Sequence, residues 1–582
     1  MSAASASPNP TRQIDGFHLV VDALKANDVG TIYGIVGIPI TDVARVAQAS
    51  GIRYIGFRQE ASAGNAAAAA GFLTRRPGVC LTTSGPGFLN GLSALANATT
   101  NCFPMIQISG SSNRALVDLQ RGAYQDLDQL SAAKSFAKAA YRINRIEDIG
   151  RGVARAVRTA VSGRPGGVYL DIPGEVLGQA MDADAATETV WRVIDPAPRQ
   201  LPAPDAVDRA LGVLAQAQRP LIVLGKGAAY AQADNVIRRF VEATGIPFLP
   251  MSMAKGLLPD SHPQSAAAAR SLAISRADAV LIVGARLNWL LGHGESPQWS
   301  REAKFVQVDI AAAEFDSNQQ VAPLAGDIGS VMSALCDGVA TRPITAPPQW
   351  TSELAERTAR NDAKMSERLA ENPYPMRFYN ALGAIQSVLQ DNQDVYVVNE
   401  GANALDLARN VIDMELPRHR LDTGTWGVMG IGMGYAIAAA VETGKPVVAI
   451  EGDSAFGFSG MEIETICRYR LPVTVVILNN GGVYRGDEAT PGTAATESDP
   501  APTVLNARAR HELLAEAFGG KGYHVKTPSE LRAALAEAIG TGAPSIIDCE
   551  LDPAAGVESG HLSNLNPASA AAPPAPAVSA GG

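Results

Sequence analysis

The sequence predicts an α/β protein made of three doubly wound parallel-sheet domains. Three observations carry this expectation. A chain of 582 residues exceeds what one hydrophobic core holds. Short β-branched runs alternate with helix-forming stretches in three blocks, set apart by proline-rich or charged connections. The segment 447–484, VVAIEGDSAFGFSGMEIETICRYRLPVTVVILNNGGVY, reads as a complete βαβ unit, with apolar runs that stop at Gly452-Asp453-Ser454 and at Asn479-Asn480-Gly481-Gly482.

In chain order, residues 1–12 are small, polar and proline-punctuated, and read as a disordered N-terminus. The first domain is placed at 13–185. It opens with a helix from Gly16 through Leu24 and the strand and turn TIYGIVGIPITD. RYIGFRQE then reads as a strand ending at Glu60, followed by ASAGNAAAAAGFLTRR, a strong helix former. GVCLTTSGPGFLNGLSALANA is strand, glycine-rich turn and helix again, and GGVYLDIP is a last strand. A proline-rich connection over 174–202 leads to a central nucleotide-binding-like domain at 203–337. A linker with one charged helix fills 338–376, a diphosphate- and metal-binding domain spans 377–553, and 554–582 reads as a mobile, low-complexity tail.

Composition narrows the function. The net charge of −10 argues against a nucleic-acid binder. None of the five cysteines forms a CxxC pair, so neither a zinc ribbon nor a disulfide framework follows. The N-terminus lacks a charged and then apolar leader, and no apolar run reaches about 18 residues. A soluble, cytoplasmic enzyme with no membrane partner is expected.

Because parallel strands joined by a helix cross over right-handedly, Asp453 and Asn480 belong at neighbouring carboxyl ends of one sheet. A carboxylate, an amide oxygen and a glycine carbonyl there make an oxygen shell suited to Mg²⁺ and a phosphate ester. Alone, Asp453 reads equally well as a helix cap, and Glu60 as a helix-terminus charge. Gly225-Lys226-Gly227 is half of a dinucleotide loop or a plain turn. Asp309, closing KFVQVDI, sits where an acid meets a ribose hydroxyl.

Taken together, these motifs resemble the thiamine-diphosphate enzymes. Gly452-Asp453-Ser454 with Asn479-Asn480 is similar to their signature, with Ser454 where the usual form has glycine. Tyr33-Gly34-Ile35-Val36-Gly37, Glu60 and Ser84-Gly85-Pro86-Gly87 match the pyrimidine-binding domain in order and spacing, and TGTWGVMGIGMGYAI matches the glycine-rich approach to the cofactor. Over residues 14–567 the runs GFRQEASAGNAAAAAGF, GARLNWLL, NEGAN and GDSAFGFSGMEIETICRY look most like the oxalyl-CoA decarboxylase branch, with 2-hydroxyacyl-CoA lyases next. Of seven histidines no two are adjacent, which disfavours the pyruvate decarboxylase branch and its His-His pair.

The resemblance implies thiamine diphosphate and Mg²⁺, the metal held by Asp453, Asn480 and the carbonyl of Gly482, with Ser454 and Tyr484 beside the cofactor. It makes Glu60 the proton relay to the aminopyrimidine, Met429 the apolar wedge beneath the cofactor and Gly427 the carbonyl facing its amino group. Tyr124, Tyr484 and Ser559 match positions that organise substrate and water. Arg270, Asn361, Arg409 and Asn410 match CoA contacts, the arginines suiting phosphate. Arg164, Lys226 and Asp309 match an ADP activator site. The implied reaction is decarboxylation of oxalyl-CoA to formyl-CoA and CO₂, or alternatively a 2-hydroxyacyl-CoA lyase or an acyloin-forming ligase joining formyl-CoA to an aldehyde. A homo-oligomer, at least a dimer and commonly a tetramer, follows because the glutamate domain of one subunit faces the metal domain of another. One departure stands out: beside the active-site tyrosine the family has a glutamate, and this chain has Gln125, which does not titrate. A silent protein that kept only the fold would have lost Glu60, Asp453 or Asn480, and all three are present.

Overall fold

A computed structural model describes residues 12–489, 499–506 and 508–556. The expectations for residues 1–11 and for the tail beyond 556, Ser559 included, lie outside the described residues.

Three parallel sheets form, as the α/β reading requires. The first runs in the order Arg53–Gly56, Thr31–Gly34, Gly78–Thr82, Met105–Ser111, Gly167–Pro173, Ala139–Arg142. The third runs Arg420–Asp422, Tyr396–Glu400, Val447–Gly452, Val473–Asn479, Ser545–Glu550, Lys521–Val525. Numbered within each domain, both follow the order two, one, three, four, six, five, so the two sheets are topological copies. The middle sheet is Phe248–Pro250, Pro220–Leu224, Ala279–Val283, Lys304–Asp309, Gln320–Ala325. Central strands such as Val473–Asn479 are buried at every residue, because helices cover both faces; this is why they are continuous rather than alternating apolar runs.

The first and third domains meet where helix Glu60–Thr74 crosses helix Gly432–Thr443. Both are apolar all round, as helices buried on every side must be, and small residues let them approach. A Cβ on Gly434 would fall 2.6 Å from the carbonyl of Ser62, and one on Gly64 2.5 Å from the Ala94 methyl. Polar contacts fix the register of the crossing. Asn97 donates to Tyr435 Oη and to Asn65 Oδ1, each at 3.0 Å. Glu462 of the third domain accepts the backbone N–H groups of Arg58 and Gln59 at 3.0–3.2 Å. Burial pushes its carboxyl up to about 7, against the pull of these bonds and of the Thr465 hydroxyl.

All three domains join at Asn101, the last residue of helix Pro86–Asn101. Its Oδ1 accepts Lys226 Nζ from the middle domain at 2.5 Å and the Thr425 N–H from the third at 2.8 Å; its Nδ2 donates to the Thr423 carbonyl at 3.2 Å.

The structure corrects three local expectations. The strand before Glu60 stops at Gly56, and Glu60 is the first residue of the following helix, because Glu462 takes up the N–H groups that a longer strand would have paired. The stretch 174–202 is partly ordered: Ala180–Asp182 pairs antiparallel with Gln13–Asp15, and Ala183–Thr189 is helical. The segment after Asp453 is broken into Asp453–Ser459, a 3₁₀ turn Gly460–Glu462 and Ile463–Arg468. The charged helix Pro348–Ala370 is anchored by buried Trp350, whose indole N–H donates to the Pro220 carbonyl at 2.9 Å. Among the described residues no helix is long and apolar enough to cross a membrane.

Gly434→Ala is expected to lower the melting temperature, since overpacking a tight crossing costs about 1–3 kcal/mol. A differential scan with an unshifted first transition would contradict this account of the crossing.

Candidate active site

The carboxyl ends of strands Val447–Gly452 and Val473–Asn479 come together at one side chain. Asp453 Oδ1 accepts the Ser454 N–H at 2.8 Å; Oδ2 accepts those of Gly481 at 2.8 Å and Gly482 at 3.1 Å. Asn480 spends its Nδ2 on the carbonyls of Tyr484 and Ala555, at 2.8 and 2.9 Å, which leaves the amide oxygen uncommitted. Burial pushes the Asp453 carboxyl up to about 6, against the pull of the Ser454 and Gly481 N–H groups. An ionised carboxylate buried this way calls for a cation. The donor set, a carboxylate, a free amide oxygen and a tight glycine turn, fits Mg²⁺.

A second cluster sits on the first domain. Glu60 is buried at its helix start, and Asn90 Nδ2 donates to its Oε2 at 3.1 Å. Oε1 faces Gly87 so closely that a Cβ there would lie 3.0 Å from it and 2.1 Å from Thr83 Oγ1. Gln125, with φ of +57°, hangs on the same turn, its Oε1 accepting from Ser84 Oγ at 3.1 Å. Tyr124 is 71% exposed and is tied in only through its carbonyl, which accepts from Ser112 Oγ. Among the described residues no hydrogen bond joins this cluster to the Asp453 corner of the same chain.

The loop of Gly427 and half-buried Met429 touches the first domain at Gly430, whose carbonyl accepts from Asn65 Nδ2 at 3.5 Å. A Cβ on Gly427 would meet nothing within 4 Å, so the loop faces open space. Its far end is clamped: both oxygens of fully buried Glu400 accept backbone N–H groups, from Gly430 and, at 2.5 Å, from Gly432. Glu451 lies alongside with both oxygens buried and without partners. Burial raises both carboxyls, Glu400 to about 7 and Glu451 well above the ordinary carboxylate range, with the charge of Glu400 adding to the rise of Glu451.

Arg270, Asn361, Arg409 and Asn410 line one cleft of about 1420 Å³ between the middle and third domains. Arg270 is held by the Leu290 carbonyl at 3.3 Å, and no carboxylate pairs with it among the described residues; burial and the nearby Arg409 charge lower its pKa. Arg409 rests between Asp406 at 3.4 Å and Asp422 at 3.5 Å. Asn361 and Asn410 donate to backbone carbonyls of Ala268 and Asp406. Arg164, Lys226 and Asp309 line an adjoining cavity of about 1570 Å³ that also touches Arg270 and Arg409. There Arg164 pairs with Glu314, burial brings the Lys226 ammonium down to about 8, and burial raises Asp309, which accepts the Ala311 N–H. Gly225 serves packing: a Cβ would sit 2.2 Å from the Gly284 carbonyl.

Sheets and half-sites of this kind define a thiamine pyrophosphate enzyme, and family models agree. The N-terminal TPP binding domain matches residues 14–132, the central domain 207–335 and the C-terminal TPP binding domain 401–549. The chain belongs to this family. More particularly, it is 59% identical over 554 residues to oxalyl-CoA decarboxylase of Escherichia coli (strain K12), covering 95% of this chain and 98% of the relative. It is 44% identical over 573 residues to 2-hydroxyacyl-CoA lyase of Arabidopsis thaliana, covering 97% of this chain and 100% of that one. With 2-hydroxyacyl-CoA lyase 1 of Homo sapiens it shares 42% over 558 residues, 93% of this chain and 95% of the relative.

Sequence reasoning missed Asn90, Glu400 and Glu462. Asn90 left no signal, since an asparagine inside a helix carries no pattern. The other two left one, because an acid inside an otherwise apolar run (VVNEGAN, SGMEIET) is rarely tolerated unless backbone N–H groups receive it.

Two outcomes are expected. Mg²⁺ held by Asp453 would need its carboxylate ionised, so affinity of the cofactor-free protein for Mg²⁺ is expected to fall about tenfold per pH unit on acidification below about 6 and to be flat above it; calorimetric titration from pH 5 to 8 measures the slope. Glu400→Gln puts a donor against an N–H and loosens the loop, weakening thiamine diphosphate binding by about 10-fold or more, from about 1.5–3 kcal/mol for a charged hydrogen bond; equilibrium dialysis checks it.

Proposed function

We propose that the protein is a thiamine-diphosphate- and Mg²⁺-dependent decarboxylase that converts oxalyl-CoA to formyl-CoA and CO₂. The observation that carries this is the 59% identity to oxalyl-CoA decarboxylase over 98% of its length, against 44% to the lyase of Arabidopsis thaliana. Asp453, Asn480 and the Gly482 carbonyl would hold the Mg²⁺ that grips the diphosphate, with Ser454 beside it. Gly427 and Met429 would shape the cofactor's bed. When bound, thiamine diphosphate supplies a carbon nucleophile and an electron sink for the carbanion left by CO₂ loss.

The chain's own groups do the rest. Glu60 has Asn90 on one oxygen and presents the other, Oε1, to hold and pass a proton. Arg270, lacking a counter-ion, is ready for a phosphate, and Arg409, Asn361 and Asn410 lie in the same cleft; CoA bound there would orient the distant oxalyl carbon. Tyr124, Tyr484 and Ser559 are assigned to the substrate, and Arg164, Lys226 and Asp309 to an ADP activator. Exposed apolar side chains in the segments that carry the two clusters support a working unit of at least two copies, with a tetramer as the full assembly: Val36, Ile38 and Leu89 in the first domain, Phe458, Met461 and Val483 in the third. Five free, scattered cysteines fit a cytoplasmic location.

Gln125 favours a second activity. A carboxamide fixed on Ser84 cannot deliver a proton where a carboxylic acid would, so proton delivery from this position would be slower and an aldehyde would compete with it. With oxalyl-CoA, thiamine diphosphate and Mg²⁺, mass analysis of acyl-CoA products is expected to show formyl-CoA; cleavage of 2-hydroxyacyl-CoA with no formyl-CoA from oxalyl-CoA would replace this reading by the lyase. Glu60→Gln is expected to retain cofactor binding but lose about 10²–10⁴ in kcat. Gln125→Glu should raise the ratio of decarboxylation to carboligation, and an unchanged ratio would refute the role given to Gln125.

A further inference from the structure

Behind the Asp453 corner, on the far edge of the same sheet, lies a group of side chains the proposed reaction does not use. One ligand atom each from Glu512, His524 and Asp548 lie within 4.8 Å of one another. Glu512 is 2% exposed and Asp548 fully buried. Arg510 takes Oε1 of Glu512, whose Oε2 is buried and has no partner among the described residues. The Nδ1 of His524 is likewise buried and unpartnered. Two buried carboxylates facing an unsatisfied ring nitrogen are costly without a further ligand.

The surrounding contacts are those of a metal's outer shell. His524 turns its Nε2 to Glu550 Oε2 at 3.3 Å and its Nδ1 to Asp548 Oδ2, 4.0 Å away. Metal-binding histidines are oriented by such a carboxylate. Lys526 holds Glu550 from outside at 3.0 Å. Asp548 receives Asn479 Nδ2 on Oδ1 at 3.2 Å and the His511 N–H on Oδ2 at 3.2 Å, with the His511 ring at 3.3 Å.

We propose that Glu512, His524 and Asp548 form a second cation site, taking a borderline divalent ion such as Zn²⁺. One imidazole and two carboxylates, with water in the fourth position, are an ordinary zinc donor set; Mg²⁺ prefers oxygen alone. Donors about 3.3 Å apart are needed around zinc, so the side chains close by about 1 Å or so on binding. The site buttresses the first one. Asn479, held by Asp548, accepts the Gly481 N–H on its Oδ1 at 3.2 Å, and that N–H also serves Asp453. The ion would therefore stiffen the turn that carries Asn480 and Gly482.

The test uses full-length protein stripped by chelator and then saturated with Mg²⁺ and thiamine diphosphate, so that added Zn²⁺ reports only a further site. Elemental analysis after dialysis is expected to find one Zn²⁺ per chain. His524→Ala and Glu512→Gln, made separately so that one misfolding variant leaves the other, should each lose it with more than the about 10–100-fold weakening that follows loss of an outer-shell partner. Bound thiamine diphosphate should remain in both. Co²⁺ in place of Zn²⁺ should give a visible ligand-field band that His524→Ala abolishes. No retained Zn²⁺, or equal retention by the parent and both variants, overturns the site.

Discussion

The geometry of the candidate site depends on one carboxylate that ties two strand ends together. Asp453 closes the third strand of its sheet and reaches the two N–H groups that open the turn after the fourth. Without that reach the turn of Asn480 and Gly482 would lose its hydrogen bonds to the neighbouring strand's end. Its burial raises the carboxyl's affinity for a proton, and so sets up the competition between proton and metal that a buried oxygen corner imposes. The turn is also held from behind, through Asn479 and Asp548.

The second constraint is duplication. Two sheets of identical strand order each expose a carboxyl edge, one bearing Glu60 and the other Asp453, and a small-residue helix crossing fixes how they sit. The middle domain, of simpler order, contributes cavities rather than a reacting edge. The arginine-lined cavities open around the middle domain, one against the third domain and one against both outer domains, while Glu60 and Asp453 lie on the outer two.

How much of this was legible in the sequence depended on whether a residue acts along the chain or across it. The βαβ unit at 447–484 was legible because strand, turn and helix follow one another, and its polar residues sit at the run ends where ligands bind. The α/β class followed from the same alternation. Boundaries failed where a partner from another domain decided them: Glu462 ends the strand before Glu60 at Gly56, and nothing near residue 56 announces this. Asn90 was hidden for the same reason, its partner lying 30 residues away, and Glu400, although conspicuous as an acid in an apolar run, gave no sign of its partners 30 and 32 residues on. Gln125 was visible only as a departure from the family; its anchoring on Ser84 is a fact of three dimensions.

Asn101 has a mechanical consequence. One carboxamide receives a lysine that lines the middle cavity, holds the strand end leading into the glycine loop, and terminates the helix whose Asn90 supports Glu60. A Cβ on neighbouring Gly424 would strike this amide at 2.3 Å, so the junction has no slack. A change at Lys226 would therefore reach the glycine loop and the helix of Asn90 through a single side chain, and the knot works as a coupling pin between the three domains.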